Sequence, residues 1–242
     1  NRDWAGALPH LKKAVEDKPE DAASHRWLGG ALLNVDNLAE AEPELKKALE
    51  LDPTITGLNF DMGMLYVKKG RLMQAIPHFE KELELNPEAP AVLQNLGKLY
   101  SDSKQYDKAI GVLEKLVAIS PDKLEYYSEL AEAYKASGDA KKEMEVYQRM
   151  GAQDPSGMAF FNLGNLMFNQ SEMARAADAY KKAIEQAPDN ASAHYQLGLT
   201  YVNLGKFKEA VTELEAFVKI RPKDPKAEEA KSLAADLRKM GG

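Results

Sequence analysis

Apolar residues along this chain recur at spacings of three and four, in short blocks separated by polar turns, so each block carries one apolar stripe of an amphipathic helix. The blocks come in pairs, and the pairs repeat. In the first block, Leu28-Gly29, Met62-Gly63, Leu96-Gly97, Leu130-Ala131, Leu163-Gly164 and Leu197-Gly198 share one register. Three residues after the small residue come Leu32, Tyr66, Tyr100, Tyr134, Met167 and Tyr201. The second block carries Ala7, Ala41, Ala75, Ala109, Glu143, Ala176 and Ala210, each followed four residues later by Leu11, Leu45, Phe79, Leu113, Tyr147, Tyr180 and Leu214. Prolines close the second blocks at Pro19, Pro53, Pro87, Pro121, Pro155, Pro188 and Pro222, with separations of 34, 34, 34, 34, 33 and 34. Proline disfavours the α region in the residue before it and so ends a helix. The small residues let the two helices of a pair approach closely, and the large ones fill the groove between neighbours. Glycine or a polar residue makes the turn between them, as in Lys69-Gly70-Arg71 and Leu204-Gly205-Lys206.

A helix pair of this period, with these small and large positions, resembles the tetratricopeptide repeat. The resemblance covers essentially the whole chain: a trailing half-repeat at 1–21, repeats at 22–55, 56–89, 90–123, 124–156, 157–190 and 191–224, and a capping helix at 226–240. It implies an all-α fold, a right-handed superhelical solenoid of antiparallel helix pairs, built as a single array over 1–242. The repeats vary too much for a designed consensus and read as a natural, bacterial sequence.

The first block has the pattern of a second helix without its first: Trp4, Leu8, Leu11 and Val15 make its stripe. Its partner helix is expected upstream of Asn1, in a longer natural protein. The last block reads as a cap, with Ala227, Ala230, Leu233, Ala234 and Leu237 on one face and Gly241 as a stop signal. Repeat 124–156 departs most from the pattern. Glu143 stands where alanine is usual, Ala131 where glycine is common and Met150 where a small residue is common, and the next proline comes one residue early. A change of pitch or a softer segment is expected around 143–157. Pro9, Pro43 and Pro77 share one register, read as lying near the start of the second helix, where a missing N–H costs least.

The 242 residues are 44% hydrophobic and 29% charged with a net charge of -6, which excludes a disordered chain. No run approaches the roughly 18 apolar residues of a spanning helix, so no membrane insertion is expected, and the absence of a secretory signal within these 242 residues says little about the compartment. Basic residues are interleaved with acidic ones, so the electrostatic footprint of a nucleic-acid binder is missing. The chain has no cysteine, which removes disulfides and thiolate chemistry but does not separate a cytoplasmic from a periplasmic soluble protein. His10 and His78 share one register and His25 and His194 another, repeats apart, so they do not converge on a metal. Neighbouring carboxylates such as Glu143 and Glu145 lack a cleft. Gly29-Gly30 is no phosphate loop, and no nucleophile elbow occurs. The sequence therefore reads as a non-enzyme without cofactor.

In solenoids of this family the first helices line a concave face that holds extended peptides or partner helices, and the resemblance implies the same here. The residues expected to bind a protein or peptide are Arg26, Phe60, Met64, Asn95, Lys98, Glu129, Glu132, Phe161, Asn162, Asn165, Phe168, Tyr195 and Gln196. Asn95, Asn162 and Gln196 form an incomplete amide row, each able to offer a donor and an acceptor to a peptide backbone. It resembles the asparagine ladder of the O-linked N-acetylglucosamine transferase solenoid, interrupted by Trp27, Asp61 and Glu129. Phe60, Met64, Phe161, Phe168 and Tyr195 are read as exposed anchors. Glu125, Glu129 and Glu132 make an acidic step that favours a basic ligand segment. The carboxylate clamp of chaperone-binding members is absent, Lys98 beside Asn95 being only a fragment of it. The leading expectation is an interaction scaffold. The alternatives are the recruitment or assembly arm of a larger enzyme, secretion or envelope protein, and self-association through the N-terminal half-repeat.

Overall fold

The computed structural model describes residues 3–240, and among them are fourteen helices and no strand. The backbone divides into two compact units, one ending at Pro121 and the other starting at Asp122. The first holds α1 (Trp4–Asp17) and the pairs α2 (Ala22–Asn34) with α3 (Leu38–Leu51), α4 (Leu58–Lys68) with α5 (Leu72–Leu85), and α6 (Pro90–Asp102) with α7 (Tyr106–Ile119). The second holds α8 (Leu124–Ser137) with α9 (Ala140–Gly151), α10 (Met158–Asn169) with α11 (Met173–Gln186), α12 (Ala191–Asn203) with α13 (Phe207–Ile220), and α14 (Ala227–Met240) against α13.

The repeated small and large positions meet where the two helices of a pair cross. A Cβ on Gly63 would stand 2.6 Å from the Phe79 ring, one on Gly97 2.6 Å from Leu113, and one on Gly164 2.5 Å from Tyr180. The missing side chain therefore sets the helix separation. The alanines at 41, 75, 109, 176 and 210 are fully buried in the same seams. The α8/α9 pair differs: Ala131 and Glu143 occupy these registers, and it is the least closely packed of the pairs.

Every turn within a pair uses the same device. A residue at the helix end adopts a left-handed conformation: the one after the C-cap at Asp36, Gly70, Lys104, Ser171 and Gly205, and the C-cap itself at Gly138. Backbone bonds such as Asn37 N–H to the Leu32 carbonyl at 2.9 Å and Asp36 N–H to the Leu33 carbonyl at 3.2 Å then close a Schellman turn. Glycine fills half of these positions; the others hold a side chain where it is sterically disfavoured.

Polar clips tie the helices of a pair together. His25 Nδ1 lies 2.6 Å from Glu44 and its Nε2 2.9 Å from the Pro19 carbonyl. His194 repeats this with Glu213 at 2.6 Å and the Pro188 carbonyl at 3.0 Å. Asn59, between these two in register, reaches the Pro53 carbonyl and His78 instead. The N-terminus of α4 lacks a side-chain cap of its own; Glu82 on α5 accepts from Gly57 N–H at 2.6 Å and Phe60 N–H at 3.3 Å.

Three details differ from the sequence reading. Pro9, Pro43 and Pro77 are each the sixth residue of their helix, beyond the first turn, so each removes one intrahelical bond. Those prolines are exposed, on the side where water can satisfy the freed carbonyl. Helix α9 ends at Gly151, four residues before Pro155, whereas the other second helices end two residues before their prolines. Gly241 lies outside the described residues. Helix α1 has no fully buried residue, and Leu8, Leu11 and Val15 rest half-buried on the core of α2 to α4.

Candidate functional site

In the first unit, Arg26 on α2 donates through Nε to Asp61 on α4 at 3.0 Å and lies 4.9 Å from the exposed Trp27 ring. Burial pushes the Asp61 carboxyl up to about 6; Arg26 pulls it down and Glu82 adds to the rise. Burial outweighs pairing here because the carboxyl is largely removed from water, which disfavours its charged form. Phe60 is half-buried and packs against Phe79 with ring centroids 5.8 Å apart. Met64 is half-buried against the core of α2 to α4. Asn95 donates to the Ala91 carbonyl of its own helix at 2.7 Å, so only part of its amide is available to a ligand. Lys98 is exposed.

In the second unit, α10 and α12 contain no Asp, Glu, Lys or Arg. Phe161 leans on Tyr180 with centroids 5.9 Å apart. Asn165 accepts from the Tyr180 hydroxyl at 2.8 Å, which orients its amide and leaves both N–H donors for a ligand. Asn162, Phe168 and Gln196 are half-buried. Tyr195, read from sequence as an exposed anchor, is 8% exposed. It packs on Phe217 at 5.0 Å, with the Lys226 ammonium 4.9 Å from its ring centroid. Burial raises its hydroxyl, with Glu229 and Asp224 adding to the effect.

Beside it opens a cavity of about 180 Å³ lined by Phe161, Ser192, Tyr195, Gln196, Phe217, Asp224 and Lys226. Phe161, Tyr195 and Gln196, three of the residues expected to bind, line it together. Ser192, Phe217 and Lys226 were missed. Lys226 belongs to the loop before α14 and has no counterpart in the repeats, so periodicity could not find it.

On α8, Glu125 and Glu132 are exposed and Glu129 is half-buried. Glu132 accepts from Lys135 at 3.4 Å. Behind them, Glu143 on α9 is 4% exposed. Burial raises its carboxyl, Lys135 pulls it down and Glu132 raises it further. Tyr147, one turn along α9, is pushed up to about 12 by burial, with Glu143 and Glu132 adding and Asn162 opposing.

Among the described residues, no group of three or more His, Cys, Asp or Glu is placed to hold a metal ion, and no helix is long and apolar enough to cross a membrane. Paired helices with repeated seams and a polar, aromatic first-helix face define an α-helical repeat scaffold for protein interaction.

The comparisons give the class its name. Tetratricopeptide repeat models match residues 1–54, 66–131 and 163–235. The chain belongs to the tetratricopeptide repeat family, whose members are generally non-catalytic scaffolds. Among solved structures it is similar to MamA, at 28% identity over 72% of this chain and 94% of that one, with a TM-score of 0.56. It shares its fold with the C-terminal part of a TPR repeat-containing protein from Cytophaga hutchinsonii, at 15% identity over 94% of each chain and a TM-score of 0.74. It shares the fold also with a chain of the Naa15/Naa10 complex bound to HypK-THB, at 16% identity over 96% of this chain and 36% of that one, with a TM-score of 0.70. No curated protein matches it.

Proposed function

We propose that the protein holds an extended segment of a partner protein along its first helices, with the α10–α12 face as the main contact. The observation that carries this reading is the chemistry of that face. Two successive first helices carry no Asp, Glu, Lys or Arg, and between them lie an oriented Asn165 amide, the half-buried Asn162 and Gln196, and the cavity beside Tyr195, which three aromatic rings line together with Asp224 and Lys226. Amides pair with the donors and acceptors of a peptide backbone, and a cavity of this size takes one apolar side chain.

The test is a peptide-array and pull-down screen with the purified chain, Asn162→Ala and Phe161→Ala, with circular dichroism confirming that each variant is folded. Each variant is expected to weaken capture about tenfold, equivalent to about 1.4 kcal/mol. Capture unchanged in both folded variants would move the site off this face and overturn the proposal.

A further inference from the structure

We propose that Glu132 and Glu143, at the α8–α9 edge of this face, form a seat for one basic side chain of the bound segment, an arginine in preference to a lysine. The inference rests on the reading of the face as a peptide site and names the chemistry of its ligand.

At the position of Glu143, the other second helices of the pairs place alanine, and those alanines at 41, 75, 109, 176 and 210 are fully buried. Packing alone favours alanine here. Glu143 is nonetheless 4% exposed, and among the described residues it makes no hydrogen bond or ion pair. A buried carboxyl without a partner is destabilising, so the residue is an internal misfit as it stands.

The carboxyl is not sealed in the seam. Its oxygens are not among the unpartnered atoms closed to solvent. The charges that act on it are Lys135 and Glu132 of α8. Tyr147 responds to both Glu143 and Glu132 and meets Asn162 on α10. The carboxyl thus lies near the acidic edge of α8, and Tyr147, one turn along α9, reaches the amide of α10.

The cation acting on it, Lys135, is held by Glu132 at 3.4 Å. A metal ion does not fit, because no third carboxylate converges on the site. A guanidinium does fit: it is planar, it has five donors, and it can bridge two carboxylates that do not share a single point. The α8/α9 pair is the least closely packed of the pairs, which makes its edge the easiest to open to a side chain. Glu125 and Glu129 along the same helix add negative potential that favours the approach of a cation.

Glu143→Ala separates binding from folding, because it restores the residue the other pairs use. The probe is an array of neutral peptides of about ten residues, each printed beside versions carrying one arginine, one lysine or one citrulline. Wild type is expected to prefer arginine over citrulline at least tenfold. Glu143→Ala is expected to lose that preference, to bind the neutral peptides unchanged and to melt at a higher temperature than wild type. Equal capture of arginine and citrulline peptides would overturn the seat while leaving the peptide face intact. A lower melting temperature for Glu143→Ala would also overturn it, by showing that the carboxyl serves the fold.

If no peptide binds at all, the reading of the face fails, and the seat is then decided separately. Acetyl-arginine amide is titrated into the labelled protein and followed by NMR at Tyr147 and Asn162. Shifts in wild type that vanish in Glu143→Ala support the seat; no shifts in wild type reject it.

Discussion

Replacing Gly63 by alanine tests whether the helix crossing is set by the missing side chain. A Cβ there would stand 2.6, 2.7 and 2.8 Å from three atoms of the Phe79 ring, which is fully buried. A ring has no flexible end to yield, so the α4/α5 pair must open or the ring must leave its rotamer. Overpacking of this kind costs about 1–3 kcal/mol. Alanine in a helix interior returns about 1 kcal/mol of propensity, leaving a net loss of about 0–2 kcal/mol. The net value alone is a weak test, and the coupling is a strong one. Phe79→Ala removes the ring, whereas a leucine would not relieve the contact, since a Cβ on Gly97 would stand just as close, 2.6 Å, to Leu113. We expect Gly63→Ala to be milder by about 1 kcal/mol or more in the Phe79→Ala background, within the range of coupling for residues in contact. Both tryptophans, Trp4 and Trp27, lie in the first unit, so urea unfolding followed by their fluorescence reports on the right part of the chain. Additive effects within about 0.3–0.5 kcal/mol would show that the ring is not what limits the approach, and the account of the seam would fail.

Two further outcomes follow from the polar clips. Glu82→Ala leaves the Gly57 and Phe60 N–H groups without their acceptor, so a loss of about 1–3 kcal/mol is expected, with faster hydrogen exchange at those two amides; unchanged exchange there would reject the trans cap. His194 faces two acceptors, Glu213 and the Pro188 carbonyl, and Glu213 is the main cause raising its pKa above 6.5. A raised folded value means that the clip stabilises fully below the unfolded pKa of 6.5 and is lost as pH rises through the folded value. The melting temperature of wild type is therefore expected to fall from about pH 6 to about pH 8 more steeply than that of Glu213→Gln. An NMR titration of His194 that is the same in both proteins would contradict this.

The seams were legible in the sequence because they repeat. Glycine or alanine, then leucine or an aromatic sixteen residues on, names both sides of each crossing. The clips were half legible. His25 and His194 share a register, and each has a glutamate nineteen residues later and a proline six residues earlier, yet a pairing between helices does not announce itself in the period of either. The left-handed turns at Asp36, Lys104 and Ser171 were hidden because only glycine signals that conformation by its identity. Tyr195 was misjudged because Phe217 and Lys226, which cover it, belong to the last second helix and to a loop outside the repeat. Arg26 looked available to a ligand because its partner Asp61 is one repeat and one residue away, a contact set by the stacking of α2 on α4 rather than by the pattern within either.

Recurrence also separates the polar groups that serve the fold from those that do not. The histidine clip appears at two equivalent places, and both times each ring nitrogen meets an acceptor, so the buried polarity is satisfied internally. The Asn59 variant of it changes the residues but keeps the proline carbonyl as a partner. Glu143 appears once, in the seam that alanine fills elsewhere, and among the described residues nothing hydrogen-bonds to it. A polar residue kept for stability would show the first behaviour: repeated, and matched from within. One that breaks the register and has no internal match must find its partner outside the fold or remain a cost to it. Glu143 lies in the α8/α9 pair, which departs most from the repeat, at the edge where acidic side chains of that pair come next to α10, a helix without Asp, Glu, Lys or Arg.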